Sequence, residues 1–221
     1  MTTGWARGRF VCLSLSLVMM GIAGCSKCDA SAVSNPYSES WRPAYDGWEE
    51  DDPIPAFSLA DQEGQHFSLG RYDDSYLLIG FVFTRCNVPK ACPLTMKRMS
   101  EVQASWKALR AQGRAQGRKL SLLTITLDPE FDTPPLMKTY AAGYGADFSL
   151  WTMATGHEEL VSSAIPSLFN VLALPDGKGS IRHSVKVALL GPGRAFLKEW
   201  GDNDFEPAEV LSLVTGEPSR D

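Results

Sequence analysis

The sequence predicts an α/β domain with a central mixed sheet flanked by helices. Two β-prone apolar runs, 77–83 and 120–127, are typical of strands that are buried on both faces. Segments with helix signals follow both runs, and strands that alternate with helices indicate a sheet with short crossovers. Cys86 and Cys92 lie in the turn between the first buried strand and its helix, which further predicts a thioredoxin-like domain.

The first elements of this domain are a hairpin and a long helix. Residues 57–69 contain two short strands around a polar turn at Gly64, which is typical of an N-terminal hairpin. Pro93 suits the first position of a helix, because its fixed φ fits there and its missing N–H is not needed. Apolar residues then recur at three- and four-residue steps up to a predicted end at 112–113: Leu94, Met96, Met99, Val102, Trp106 and Leu109.

The second half alternates shorter elements in the same way. Asp132 stands before Pro134 and Pro135, so we expect it to cap a helix that begins there. His183 is expected to lead directly into a strand. The other predicted elements are a helix at 136–144, a strand at 150–153, a helix from 155 that restarts at Pro166, paired strands at 184–190 and 195–199, and a helix at 206–214.

Length and charge limit the classes of function. The 221 residues suit one domain plus tails. The formal net charge is −5, whereas nucleic-acid binding calls for a basic patch. We therefore expect no nucleic acid among the partners.

The N-terminus carries a targeting signal. Arg7 and Arg9 precede an apolar core at 10–22, which is too short to span a bilayer comfortably. The core ends in Ile-Ala-Gly-Cys25, which resembles a bacterial lipobox and implies cleavage after residue 24 and a lipid on the Cys25 sulfur. The alternative is an uncleaved anchor helix. Both interpretations place the domain outside the cytoplasm of a bacterial cell, in the envelope, where it faces the periplasm or the exterior.

This signal divides the chain and its five cysteines. Residues 1–24 form the signal peptide, which removes Cys12, and residues 25–53 form a membrane tether that contains Cys28. The domain is predicted at 54–216, with a short tail at 217–221. Cys86 and Cys92 are therefore the two cysteines of the domain.

The chemistry expected of the two cysteines follows from their position. Cys92 lies at a helix N-terminus, where backbone N–H groups and the helix dipole favour a thiolate. A thiolate is both the nucleophile of redox chemistry and a soft ligand for Cu(I). The alternative is a purely structural disulfide, although such a bridge stabilises most when it closes a long loop, and this loop is short.

Three separated motifs resemble the Sco/SenC family. They are Thr84-Arg-Cys86 with Cys92-Pro93, then Thr126-Leu-Asp-Pro-Glu-Phe-Asp132-Thr-Pro134, then His183-Ser184 before a strand. The similarity extends over about residues 55–214. Members of that family are extracytoplasmic, thioredoxin-fold copper proteins that help to assemble cytochrome c oxidase.

The resemblance implies a copper site and its ligands. Two cysteines and a distant histidine bind copper in that family, and they correspond here to Cys86, Cys92 and His183. The pair Cys86–Cys92 is also expected to form a reversible disulfide. Thiolates suit Cu(I), and imidazole suits both Cu(I) and Cu(II). Asp128 and Asp132 are expected to cap the loop and helix beside the site, because carboxylates are hard ligands.

Two features depart from the family pattern. Five residues, 87–91, separate the cysteines here, whereas the family usually has three, so the loop differs in bite angle and stiffness. Arg182 precedes the histidine, where the family often has an acidic residue. A cation does not orient an imidazole as a carboxylate does.

Two functions remain open from the sequence. The first is a membrane-anchored copper metallochaperone, not an enzyme, which delivers copper to a cytochrome c oxidase subunit or another copper protein. The alternative is a thiol–disulfide oxidoreductase that acts through Cys86 and Cys92. His183 distinguishes them, because copper delivery needs a third ligand and dithiol exchange does not. A peroxiredoxin is excluded, since Phe83 and Pro89 stand where its motif requires threonine before the cysteine.

Overall fold

The described part of the chain, residues 53–175 and 181–217 of a computed structural model, contains nine strands and four α-helices. It also contains two short 3-10 helices, Leu69–Tyr72 and Pro192–Arg194, and a π-helix, Leu160–Ala164, that continues directly into the third α-helix. The strands are β1 (Ser58–Asp61), β2 (His66–Ser68), β3 (Tyr76–Val82), β4 (Leu120–Thr126), β5 (Trp151–Thr155), β6 (Ala173–Pro175), β7 (Ile181–His183), β8 (Lys186–Leu190) and β9 (Phe196–Gly201). The helices are α1 (Cys92–Ala111), α2 (Pro134–Ala142), α3 (Ile165–Leu168) and α4 (Pro207–Thr215).

Seven of the strands form one mixed sheet in the order β2-β1-β5-β4-β3-β8-β9. The central strands β3, β4 and β5 are parallel, and the strands on both sides of them are antiparallel. This arrangement confirms the predicted α/β fold with a central mixed sheet. The antiparallel pair β1–β2 is the predicted N-terminal hairpin.

Helix α1 packs on this sheet and contributes a large part of the core. The apolar positions of α1 that were predicted from helical spacing are buried, among them Met96, Met99, Val102 and Trp106. Each such side chain contributes about 1.5–3 kcal/mol when it is removed from water. Gly80 in β3 allows α1 to lie close to the sheet, because a Cβ atom at that position would come within 2.8 Å of the Met99 sulfur.

The carboxyl ends of β3 and β4 meet at one edge of the sheet. Val82 is paired with Thr126, and the N–H of Leu127 then donates to the carbonyl oxygen of Val82 at 2.8 Å. The loop with both cysteines follows β3, and the loop 127–133 follows β4. Loops at the carboxyl ends of parallel strands are the usual location of binding sites in α/β sheets.

A second, two-stranded sheet was not predicted. Strands β6 and β7 pair in antiparallel fashion, with Ala173 opposite His183. His183 is therefore the last residue of β7, and Ser184 and Val185 separate it from β8. The expectation that His183 leads directly into the next strand is wrong, since two residues separate it from β8 and His183 itself ends a strand of a separate hairpin.

The helix after β4 also differs from the prediction. It begins at Pro134, as expected, but the residue in the capping position is Thr133, and no side chain there caps the helix. Asp132 is instead buried and contacts the cysteine loop, as described below. None of the helices in the described ranges is long and apolar enough to cross a membrane. The predicted signal peptide, the Cys25 lipid site, Cys12, Cys28, the tether up to residue 52 and the tail beyond 217 lie outside the described residues.

Candidate metal centre

Three side chains from separate elements converge at this edge of the sheet. They are Cys86 in the loop after β3, Cys92 at the start of α1, and His183 at the end of β7. Their sulfur and nitrogen ligand atoms all lie within 4.8 Å of one another. Cys92 is fully buried, whereas Cys86 and His183 are partly exposed. The structure thus brings together the three residues that the sequence indicated as ligands.

The imidazole of His183 is oriented with one nitrogen toward the thiols. Its Nδ1 atom lies 3.0 Å from the carbonyl oxygen of Ser184, which only accepts, so Nδ1 carries the proton and donates. The lone pair is therefore on Nε2, which lies 3.3 Å from the Cys92 Sγ atom. The Phe83 ring packs edge-on against the imidazole at 5.5 Å. A hydrogen bond from the remote nitrogen is how proteins usually orient a ligating histidine.

Burial shifts the pKa values of the His183 imidazole and the Cys92 thiol. It lowers the pKa of the His183 imidazole, although the bond to Ser184 acts in the opposite direction, so the ring is neutral. Burial also raises the pKa of the Cys92 thiol. This burial opposes the effect of the helix N-terminus, which was expected to favour a thiolate. The Cys92 thiol donates to His183 Nε2, and a metal that binds there must displace this proton.

The first end of the cysteine loop is held by Asp132. Its buried carboxylate accepts from the backbone N–H of Thr84 at 3.0 Å, from the Thr84 hydroxyl, and from the Thr126 hydroxyl at 2.6 Å. These bonds connect the ends of β3 and β4 two residues before Cys86. Asp132 thus connects the two loops, and the expectation that it caps the helix is wrong.

Asp128 holds the next residue of the loop. It accepts from Arg85 Nε at 2.6 Å, and the Arg85 guanidinium lies 4.6 Å from the centre of the Phe131 ring. Asp128 itself is positioned by its backbone N–H, which donates to the Thr126 hydroxyl at 2.9 Å. The Asp128 carboxylate is therefore paired with the Arg85 guanidinium beside the site.

The five residues between the cysteines include a tight turn. The N–H of Ala91 donates to the carbonyl oxygen of Val88 at 3.0 Å, and Pro89 occupies the second position, where its fixed φ is favoured. The turn folds the longer loop back on itself, so the Cys86 and Cys92 sulfurs remain close. Val88 is 54% exposed at the surface of this loop.

Asn203 holds the second end of the loop and was missed by sequence reasoning. Its Nδ2 donates to the carbonyl oxygens of Lys90 at 3.0 Å and Ala91 at 3.3 Å, and its Oδ1 accepts from the Thr95 hydroxyl at 2.8 Å. The Gly-Asp-Asn-Asp tract indicates a turn. It does not indicate that the turn contacts a loop more than a hundred positions earlier.

Arg182 does not face the site. Successive residues of a strand point to opposite faces, and β7 alternates accordingly, with Ile181 buried, Arg182 exposed and His183 partly buried. Arg182 is paired with Leu174, while His183 is paired with Ala173. The cation at this position therefore lies on the outer face of the hairpin, away from the imidazole.

Comparison with known proteins identifies the family. A protein-family model described as SCO1/SenC matches residues 47–216, which include the whole predicted domain. The chain belongs to the SCO1/SenC family. The SCO1 protein homolog of Bacillus subtilis (strain 168) is 27% identical over 160 residues, which cover 72% of this chain and 78% of the relative. A protein of Stutzerimonas stutzeri that is provisionally named as copper-binding is 35% identical over 139 residues, which cover 63% of this chain and 64% of that protein.

Solved structures of Sco proteins share the thioredoxin-like fold. A SCO1/SenC family lipoprotein from Bacillus anthracis str. Ames has a TM-score of 0.62 at 19% identity and covers 74% of this chain and 92% of its own. BsSco, in which a disulfide switch was identified and which is described as a member of the Sco family of cytochrome c oxidase assembly proteins, has a TM-score of 0.59 at 26% identity, with coverage of 74% and 92%. Arabidopsis thaliana ScoI with copper bound has a TM-score of 0.59 at 18% identity, with coverage of 75% and 98%.

The donor set of this SCO1/SenC chain suits copper. Two cysteine sulfurs are soft ligands, and an imidazole nitrogen binds copper in both oxidation states. Cys86, Cys92 and His183 are the residues that could hold it.

Proposed function

We propose that this protein is a copper metallochaperone that takes part in cytochrome c oxidase assembly. The observation that carries the proposal is the convergence of two thiols and one oriented imidazole within 4.8 Å. The description of BsSco as a member of a family of cytochrome c oxidase assembly proteins supports the process. The copper is cargo, which the protein binds and then transfers.

Each ligand has a distinct part in binding and release. Cys86 and Cys92 supply thiolates for Cu(I), and His183 supplies the Nε2 lone pair. Three protein ligands leave one side of the ion open, and Cys86 and His183 are the partly exposed members of the set. A soft ligand of the recipient can approach from that side and replace the protein ligands one at a time. The recipient is an oxidase subunit or another copper protein.

The proposal places the domain at a membrane surface. Arg7, Arg9, the short apolar core and Cys25 support a lipid anchor on a mature chain that begins at Cys25. The existence of a SCO1/SenC family lipoprotein in Bacillus anthracis supports the same anchoring. The domain then faces the periplasm or the exterior of a bacterial cell.

The two cysteine thiols also support a second function, that of a thiol–disulfide oxidoreductase. Cys86 and Cys92 are free thiols in this structure and lie within reach of each other, which suits a thiol–disulfide oxidoreductase acting on partner cysteines. The disulfide switch identified in BsSco supports this alternative. The disulfide between Cys86 and Cys92 remains a prediction for this chain.

Anaerobic titration of the reduced protein with Cu(I) against a competing chelator tests the proposal. We expect one bound Cu(I), lost in the variants Cys86→Ser and Cys92→Ser and retained in His66→Ala, a control at an exposed histidine of β2. His183→Ala should weaken copper binding while dithiol exchange with glutathione continues. A reduced protein that loses all copper to a weak competitor, yet exchanges disulfides rapidly, would favour the oxidoreductase instead.

A further inference from the structure

We propose that Asn203 is a positioning residue of the copper site, because it holds the segment immediately before Cys92. This inference rests on the proposed copper function and adds a residue that touches neither the ion nor its ligands. Asn203 lies in the turn between β9 and α4, and its side chain is 3% exposed.

The amide group of Asn203 joins the end of the loop to the start of the helix. Its nitrogen donates to the carbonyl oxygens of Lys90 and Ala91, the two residues directly before Cys92. Its oxygen accepts from the Thr95 hydroxyl in the first turn of α1. Ala91, in the capping position, has no side chain that can hydrogen-bond to the helix, so the contacts of Asn203 are side-chain hydrogen bonds that connect the start of α1 to the turn after β9.

The backbone of this turn has a conformation that supports a specific role. Asn203 has a φ of 60° and Asp202 a φ of 51°, both in the left-handed region that non-glycine residues rarely adopt. Asparagine tolerates this region better than most residues, but the conformation is still costly. This conformation accompanies a buried amide whose nitrogen donates to the Lys90 carbonyl oxygen in the cysteine loop and whose oxygen accepts from the Thr95 hydroxyl in α1.

Hydrogen bonds hold the loop between Cys86 and Cys92 at both of its ends, and this affects metal binding. Asp132 holds Thr84 at the Cys86 end, and Asn203 holds Ala91 at the Cys92 end. Release of the second end lets the Cys92 sulfur move away from Cys86 and His183. Loss of a residue that orients a ligand usually weakens metal binding by about 10–100-fold. The same release lowers the effective concentration of one thiol at the other, so the disulfide also becomes less favourable.

The test compares Asn203→Gly with Asp202→Gly in the full chain. Glycine adopts positive φ without strain, so both variants keep the backbone of the turn. Only Asn203→Gly removes the amide, and Asp202 is an exposed neighbour that serves as the matched control. We expect the Cu(I) dissociation constant to rise about 10-fold or more in Asn203→Gly and to stay unchanged in Asp202→Gly.

A second readout needs no copper. Equilibration with glutathione should show a weaker Cys86–Cys92 disulfide in Asn203→Gly, with about 30 mV less negative potential for each tenfold change. Equal copper affinity and equal potential in the two glycine variants would overturn the inference. If Asn203→Gly fails to fold, Asn203→Asp replaces it, because aspartate keeps the acceptor for Thr95 but cannot donate to the carbonyls, and the same losses are expected.

The outcomes separate this inference from the proposed function. A wild-type protein that binds no copper, with a potential that still shifts in Asn203→Gly, refutes the copper function and leaves the positioning of Cys92 supported. Copper binding that is normal in both wild type and Asn203→Gly, with no shift in potential, refutes the positioning role and leaves the function supported.

Discussion

The Cys92 Sγ atom lies 3.3 Å from the His183 Nε2 atom, although the residues are 91 positions apart in the chain. The thiol is the first residue of α1, and the imidazole is the last residue of the small β6–β7 hairpin. A hydrogen bond from His183 Nδ1 to the Ser184 carbonyl directs the Nε2 lone pair at the sulfur. This pair, with Cys86 beside it, is the centre of the proposed copper site.

We expect Cys86 and Cys92 to form a reversible disulfide. Their sulfurs lie within 4.8 Å, so a small loop movement reaches the S–S distance of about 2 Å. Mild oxidation should block alkylation of both thiols, and a reductant should restore it, as measured by mass spectrometry of the peptides. Full alkylation of both thiols after oxidant treatment would show that the loop keeps them apart.

Asp132→Ala should destabilise the domain strongly. The substitution removes the acceptor of three hydrogen bonds, from the Thr84 N–H, the Thr84 hydroxyl and the Thr126 hydroxyl. A buried donor left without a partner costs about 1–3 kcal/mol, and the Thr126 hydroxyl is buried while Thr84 is partly exposed, so we expect the free energy of unfolding to fall by about 2 kcal/mol or more. Urea denaturation measures the change, and Glu130→Ala, at an exposed site two residues away, is the control. A similar small effect of both variants would contradict the structural role of Asp132.

His183→Ala should affect the two oxidation states of copper differently. Cu(II) is the harder ion and depends more on the imidazole, whereas Cu(I) keeps the two soft thiolates. Competition titrations with each ion should therefore show a larger loss of affinity for Cu(II). Equal losses for both ions would mean that His183 acts on the site by packing rather than as a ligand.

The mature N-terminus is expected at a lipidated Cys25. Intact-mass analysis of the protein from its native membrane should show loss of residues 1–24 and an added acyl mass. Cys25→Ala is the matched variant and should retain the signal segment. A wild-type chain that keeps Met1 would exclude the lipoprotein assignment and favour an uncleaved anchor.

The sequence was sufficient to predict the elements that follow local rules. Continuous apolar runs predicted β3 and β4, and helical spacing after Pro93 predicted α1 to within two residues. The position of the cysteines at a turn from strand to helix, together with the motif order, indicated the thioredoxin-like fold. These features depend on burial patterns within one segment, which a sequence displays directly.

The parts that were missed depend on distant contacts. Strands β6 and β7 have three residues each and mix apolar, polar and proline positions, so they show no clear period. The contacts of Asn203 with Lys90 join residues 113 positions apart. The rise in the pKa of the Cys92 thiol follows from its complete burial, which the sequence did not show and which opposes the effect of the helix N-terminus.

X-ray absorption on the copper-loaded, reduced protein tests the central claim most directly, because it counts the sulfur and nitrogen neighbours of the ion. The proposed site predicts two sulfur neighbours and one nitrogen neighbour for Cu(I), from Cys86, Cys92 and His183. Sulfur scattering should disappear in the Cys86→Ala, Cys92→Ala double variant. Sulfur scattering that persists unchanged in that variant would contradict the assignment of the copper site.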